Sequence, residues 1–96
     1  VRRKLMATVS NTSIKTADGV VKSKGGFVHW VVVSAAATGG AWQLNDSDDD
    51  GGTDLVSAVA PANSITMLTF DPSVEFSDAI FADIPGSNIT LTVGYD

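Results

Sequence analysis

Residues 89–95 read Ile-Thr-Leu-Thr-Val-Gly-Tyr. Ile89, Leu91, Val93 and Tyr95 alternate with Thr90, Thr92 and Gly94. That period of two sends apolar side chains to one face of a half-buried β-strand. Working outward from this stretch, the same period recurs. Trp42 and Leu44 alternate with Ala41, Gln43 and Asn45. Ile65, Met67 and Thr69 interleave with Thr66, Leu68 and Phe70, and Ile80, Ala82 and Ile84 interleave with Phe81 and Asp83. Residues 27–36 are nearly all apolar, as expected for a central strand covered on both faces. Strong helix formers other than alanine are scarce, whereas Gly, Thr, Ser, Val and Asp abound.

Turn chemistry falls between these runs at short spacing. Asp18-Gly19 predicts a hairpin turn between Ile14-Lys15 and Val20-Val21, and Thr38-Gly39-Gly40 a turn leading back into residues 41–45. Residues 46–52 form a polar loop, and Pro61-Ala62-Asn63-Ser64 separates residues 55–59 from 65–70. Asp71-Pro72 and Pro85-Gly86-Ser87 mark two further turns. About eight short strands joined in this way predict an all-β, antiparallel β-sandwich of jelly-roll type, with a small barrel as the alternative. Residues 1–10 are expected to be a basic N-terminal arm and residues 11–96 a single β-sandwich domain.

Size and composition narrow the chemistry. A chain of 96 residues has room for one domain with a modest core. Cysteine is absent, so disulfides, thiol nucleophiles and thiolate metal sites are excluded. His29 is the single histidine. The longest apolar run, residues 27–37, is too short for a membrane helix and is interrupted by His29 and Ser34. A polar stretch after Arg2, Arg3 and Lys4 gives no sign of a secretory signal.

Charge is segregated along the chain. All six basic residues, Arg2, Arg3, Lys4, Lys15, Lys22 and Lys24, precede residue 25. Residues 1–26 carry a net +5 and residues 27–96 a net −10, which together give −5. An acidic body repels nucleic acid. The plain reading is solubilising surface charge; the sharper one is a basic arm, Arg2, Arg3, Lys4, Leu5, Met6 and Val9, docking on an acidic neighbour.

Candidate chemistry is thin. Asp46-Ser47-Asp48-Asp49-Asp50-Gly51 matches the opening of a calcium loop, and Asp46, Asp48 and Asp50 could gather a divalent cation weakly. The twelfth position is Ser57 rather than glutamate, so a solvated acidic loop is the expectation, with no cofactor. His29 has no serine or acid beside it in sequence and reads as a packed or edge-facing imidazole. Trp30, Trp42, Phe70, Phe76 and Phe81 read as core rather than a sugar-stacking platform. Asp78 and Asp83 are not expected to act as a glycosidase pair. With no nucleophile–base constellation, an enzyme is not expected.

From Gly25 to Tyr95, the order of features resembles a family of small bacteriophage structural proteins. The residues that carry it are Gly25-Gly26-Phe27-Val28-His29-Trp30, Thr38-Gly39-Gly40, Trp42-Gln43-Leu44-Asn45-Asp46 and Gly51-Gly52-Thr53. Val74-Glu75-Phe76-Ser77-Asp78-Ala79-Ile80 and residues 89–95 complete it. Ala79 stands where the family pattern has glycine, and Asn45 where it has an aromatic. The resemblance implies a jelly-roll-like sandwich on the outer capsid surface of a virion. Such a capsid decoration (cement) protein binds the major capsid protein and itself as a homo-oligomer, commonly a trimer, and engages neither nucleic acid nor membrane. The alternative is a carbohydrate- or receptor-binding module of a phage head or tail fibre, which would expose aromatics on a sheet face or loop.

Overall fold

The computed structural model describes residues 11–86 and 88–96. Eight strands follow in order: β1 (Asn11–Lys15), β2 (Gly19–Lys22), β3 (Gly26–Ala35), β4 (Gly40–Asp46), β5 (Thr53–Ala60), β6 (Ser64–Phe76), β7 (Ile80–Asp83) and β8 (Ile89–Tyr95). They form two antiparallel sheets of four, in the orders β1-β8-β3-β6 and β2-β7-β4-β5. The pairs β1 with β8, β2 with β7, β3 with β6 and β4 with β5 make one long antiparallel ribbon. Asn11 faces Tyr95 at its open end, and Asp46 faces Thr53 at its tip. The ribbon rolls up so that β3 also pairs with β8 and β4 with β7. That is the wrap of a jelly roll.

The core lies between the sheets. Val31, Val33, Leu91 and Val93 of the first sheet and Trp42, Leu44, Ile80 and Ala82 of the second are at most 2% exposed. Alternation along each strand puts these residues inside, as the period of two requires. Asn45 is fully buried among them, and its side-chain amide has no hydrogen-bond partner in the protein.

Several expectations are corrected. The turns at Asp18-Gly19 and Thr38-Gly39-Gly40 exist, but the strands they join lie in different sheets, so neither closes a hairpin. Among the described turns between consecutive strands, only the one from β4 to β5 does so. Local turn chemistry reports where the chain reverses, not which sheet it enters. Gly39 holds a φ of 62°, and a Cβ there would lie 2.3 Å from the Ala60 carbonyl oxygen, so the crossing depends on glycine.

Asp71-Pro72 is not a turn. It lies within β6, in a bulge opposite His29. Between the pairs Val28–Val74 and Trp30–Thr69, β3 contributes His29 alone while β6 contributes Phe70, Asp71, Pro72 and Ser73. β6 is an edge strand, where a proline need not donate to the ladder. The bulge also explains why Val28 and Val31, three apart, both point inward. β3 is not covered on both faces either: Val28, Val31, Val33 and Ala35 are buried, while Val32 is half-buried and Ser34 exposed.

Candidate functional site

The outer face of the first sheet is assembled from the alternate positions that the core does not use. Its central row runs across all four strands as Ile14, Thr92, Val32 and Met67. One neighbouring row is Thr12, Gly94, Trp30 and Thr69, and the other holds Thr90, Ser34 and Ile65. No charged residue stands in these rows, although residues 11–96 contain eleven acids and three lysines. Ile14, Ile65 and Met67 are 66%, 78% and 60% exposed. Trp30 lies flat against Gly94: a Cβ on Gly94 would sit 2.1 Å from the indole Cε2. The indole therefore covers the glycine and adds its ring edge to a smooth, uncharged surface.

His29 borders this face at the bulge. Its Nδ1 is 2.6 Å from Ser73 Oγ on β6. Its Nε2 is 3.3 Å from Asp96 Oδ2, an ion-pair distance without hydrogen-bond alignment. Sequence places no serine or acid beside His29, and the tertiary fold brings both from far along the chain. Serine, histidine and aspartate are the residue types of a nucleophilic relay. Here the serine sits on Nδ1, the acid is poorly aligned, and neither cavity described below is lined by the three. The arrangement acts as a clasp that ties the bulges of β3 and β6 to the end of β8.

The first aspartate of the acidic loop is held by the backbone of another segment. Asp46 accepts hydrogen bonds from the backbone N–H groups of Asp78 (2.8 Å), Ser77 (3.2 Å) and Ala79 (3.4 Å). The Asp78 N–H in particular holds the Asp46 pKa below the usual carboxylate value, against an opposing effect of burial. Asp49 accepts from Gly51 N–H at 2.8 Å. Among the described residues no group of three or more metal-ligating side chains converges. Burial pushes the Asp83 pKa up, helped by the charges of Asp18, Asp50 and Asp54 and a hydrogen bond with Asp18.

Two cavities stand out among the described residues. A depression of about 250 Å³ is lined by Ser23, Ser47, Asp48, Asp78 and Ala79. An apolar cleft of about 80 Å³ opens between the edges of β5 and β6, over Trp42, Ala58 and Leu68. Ligand pockets usually span roughly 300–1,000 Å³, so neither offers a small-molecule site of ordinary size. The expectation that the aromatics are core holds for Trp42 and Phe76, which are buried, and for Phe70, which packs against them half-buried; it is corrected for Trp30, which lies half-buried on the outer sheet face, while Phe81 is half-buried and Phe27 is 42% exposed at the far end of β3.

The arm residues Arg2, Arg3, Lys4, Leu5, Met6 and Val9 lie outside the described residues. The outer sheet face was missed in sequence because each of its strands contributes only two or three positions. Its one sequence signal is the lack of charge at alternate positions of four separate strands. No protein-family model matches the chain, and no similar curated protein or solved structure was found.

Proposed function

We propose that this chain is a virion structural protein, a capsid decoration (cement) protein that binds the outside of a phage head shell and stabilises it. The observation that carries the reading is the three uncharged rows on the outer face of the β1-β8-β3-β6 sheet, from Thr12 to Ile65, on an otherwise acidic body. A flat face of Thr, Ser, Ile, Val and Met, with no charge to desolvate, suits broad docking on another protein surface. The eight-stranded jelly-roll wrap is shared by many capsid and lectin domains, which supports a role of this kind by analogy of fold. Trp30 is the single aromatic in the three outer-face rows and its indole covers Gly94, so the face offers one ring rather than a set of stacking rings, which favours shell docking over carbohydrate binding.

The test is co-sedimentation of the chain with shells assembled from the major capsid protein of the same particle. Ile14→Lys and Met67→Lys alter exposed side chains and leave the core intact. Each is expected to lower occupancy at least tenfold while the wild-type melting temperature is retained. Full occupancy by both variants, or no binding by the wild-type chain, would remove this face as the docking surface.

A further inference from the structure

The four sheet edges are not equally protected. β1 and β2 are short and carry Lys15 and Lys22, the kind of charge that discourages edge-to-edge pairing, and β5 carries Asp54 ahead of six uncharged residues. β6 is thirteen residues long, and residues 64–70, Ser-Ile-Thr-Met-Leu-Thr-Phe, contain neither charge nor proline. This stretch presents an unpaired backbone edge, flanked by exposed Ile65 and Met67 on one side and by the apolar cleft over Leu68 on the other. Beyond it the same strand carries Asp71 and Glu75.

Residues 1–10 supply a segment that matches. Residues 5–10, Leu-Met-Ala-Thr-Val-Ser, are uncharged, and they follow Arg2, Arg3 and Lys4. Laid antiparallel on β6 with Ser10 opposite Ser64, Val9 meets Ile65 and Leu5 meets Thr69. The three cations then run alongside the stretch from Phe70 to Asp71 and toward Glu75. Six residues span about 20 Å in a strand, which the uncharged edge accommodates.

The chain enters the body at Asn11, on β1, at the opposite edge of the same sheet. Three strand spacings, about 14 Å, separate that edge from β6. A chain pairing with its own β6 would have to reverse at Asn11 and cross the whole outer face. A neighbouring copy has no such obstacle.

We propose that residues 2–10 of one copy add as an antiparallel strand to the free edge of β6 in a neighbouring copy. Backbone hydrogen bonds provide the affinity, and pairing of Arg2, Arg3 and Lys4 with Asp71 and Glu75 sets the direction. The contact joins two different surfaces, so successive copies form a ring when the rotation closes. The inference does not need the shell-docking reading, because its readout is assembly without any shell.

The natural lack of cysteine makes the register testable in the full-length chain. Proteins carrying Val9→Cys and Ile65→Cys are mixed under mild oxidation, with Val9→Cys and Val59→Cys as the control, since Val59 is 75% exposed on β5. A cross-linked pair in the first mixture only is expected. Light scattering at micromolar concentration should show a multimer that Thr8→Pro and the triple Arg2→Ser, Arg3→Ser, Lys4→Ser variant each convert to single chains. A monomeric wild-type chain, cross-linking to Val59 as readily as to Ile65, or a multimer unchanged by these substitutions would each overturn the proposal.

Discussion

Two aspartates carry opposite contributions to stability. Asp46 has a lowered pKa because backbone N–H groups, Asp78 first, bind its ionised form. Its contribution is present above the unfolded carboxylate value of about 3.9 and is lost as pH falls through the folded value. Asp83 has a raised pKa, chiefly from burial and then from Asp18. Its contribution is complete below the unfolded value and is lost as pH rises through the folded one. Asp46→Asn should therefore lower the urea midpoint at neutral pH, corresponding to a stability loss on the order of 1 kcal/mol because solvent screens the bonds, and should flatten the acid limb. Asp83→Asn should raise the midpoint at neutral pH and leave it little changed well below pH 4. Equal midpoint shifts for either variant at both pH values would show that these ionisations are not linked to folding.

The paired bulges of β3 and β6 hold one sheet in phase on either side of His29. Without the extra residue, Val28 and Val31 could not both face the core. The His29–Ser73 hydrogen bond sits at this point and fixes the two irregular segments against each other. His29→Ala and Ser73→Ala should each destabilise, and a double-mutant cycle should return a coupling of about 1 kcal/mol. Additive losses would mean that the two side chains do not act together. Gly94 has a related role on β8, because any side chain there would displace the Trp30 indole from the outer face.

Across the whole body, residues 11–96 hold three lysines and eleven acids, a net −8. Among the described residues the one contact at ion-pair distance is His29 Nε2 with Asp96, and no lysine pairs with a carboxylate, so little opposes this self-repulsion. Monovalent salt should therefore raise the melting temperature of the single chain, with most of the effect gained by 0.1 M, where the Debye length is about 10 Å. A fall in melting temperature with added salt would show that attractive charge pairs dominate instead. The same salt should weaken the proposed contact of Arg2, Arg3 and Lys4 with Asp71 and Glu75 of another copy, so assembly and single-chain stability are expected to move in opposite directions.

The sequence by itself determined the strands, because a period of two in Ile89–Tyr95 and its counterparts depends only on neighbouring residues. It also determined the acidic loop at the ribbon tip and the segregation of charge. Sheet membership was decided by the tertiary structure, since the turns after β1 and β3 look local yet lead across the sandwich. So was the run from Asp71 into β6: proline marks a break in sequence, but a bulged edge strand tolerates it. His29 met Ser73 and Asp96 only through pairings that span 44 and 67 positions of chain. The uncharged outer face exists only once four strands, drawn from both ends and the middle of the chain, lie side by side with their polar-period residues turned the same way.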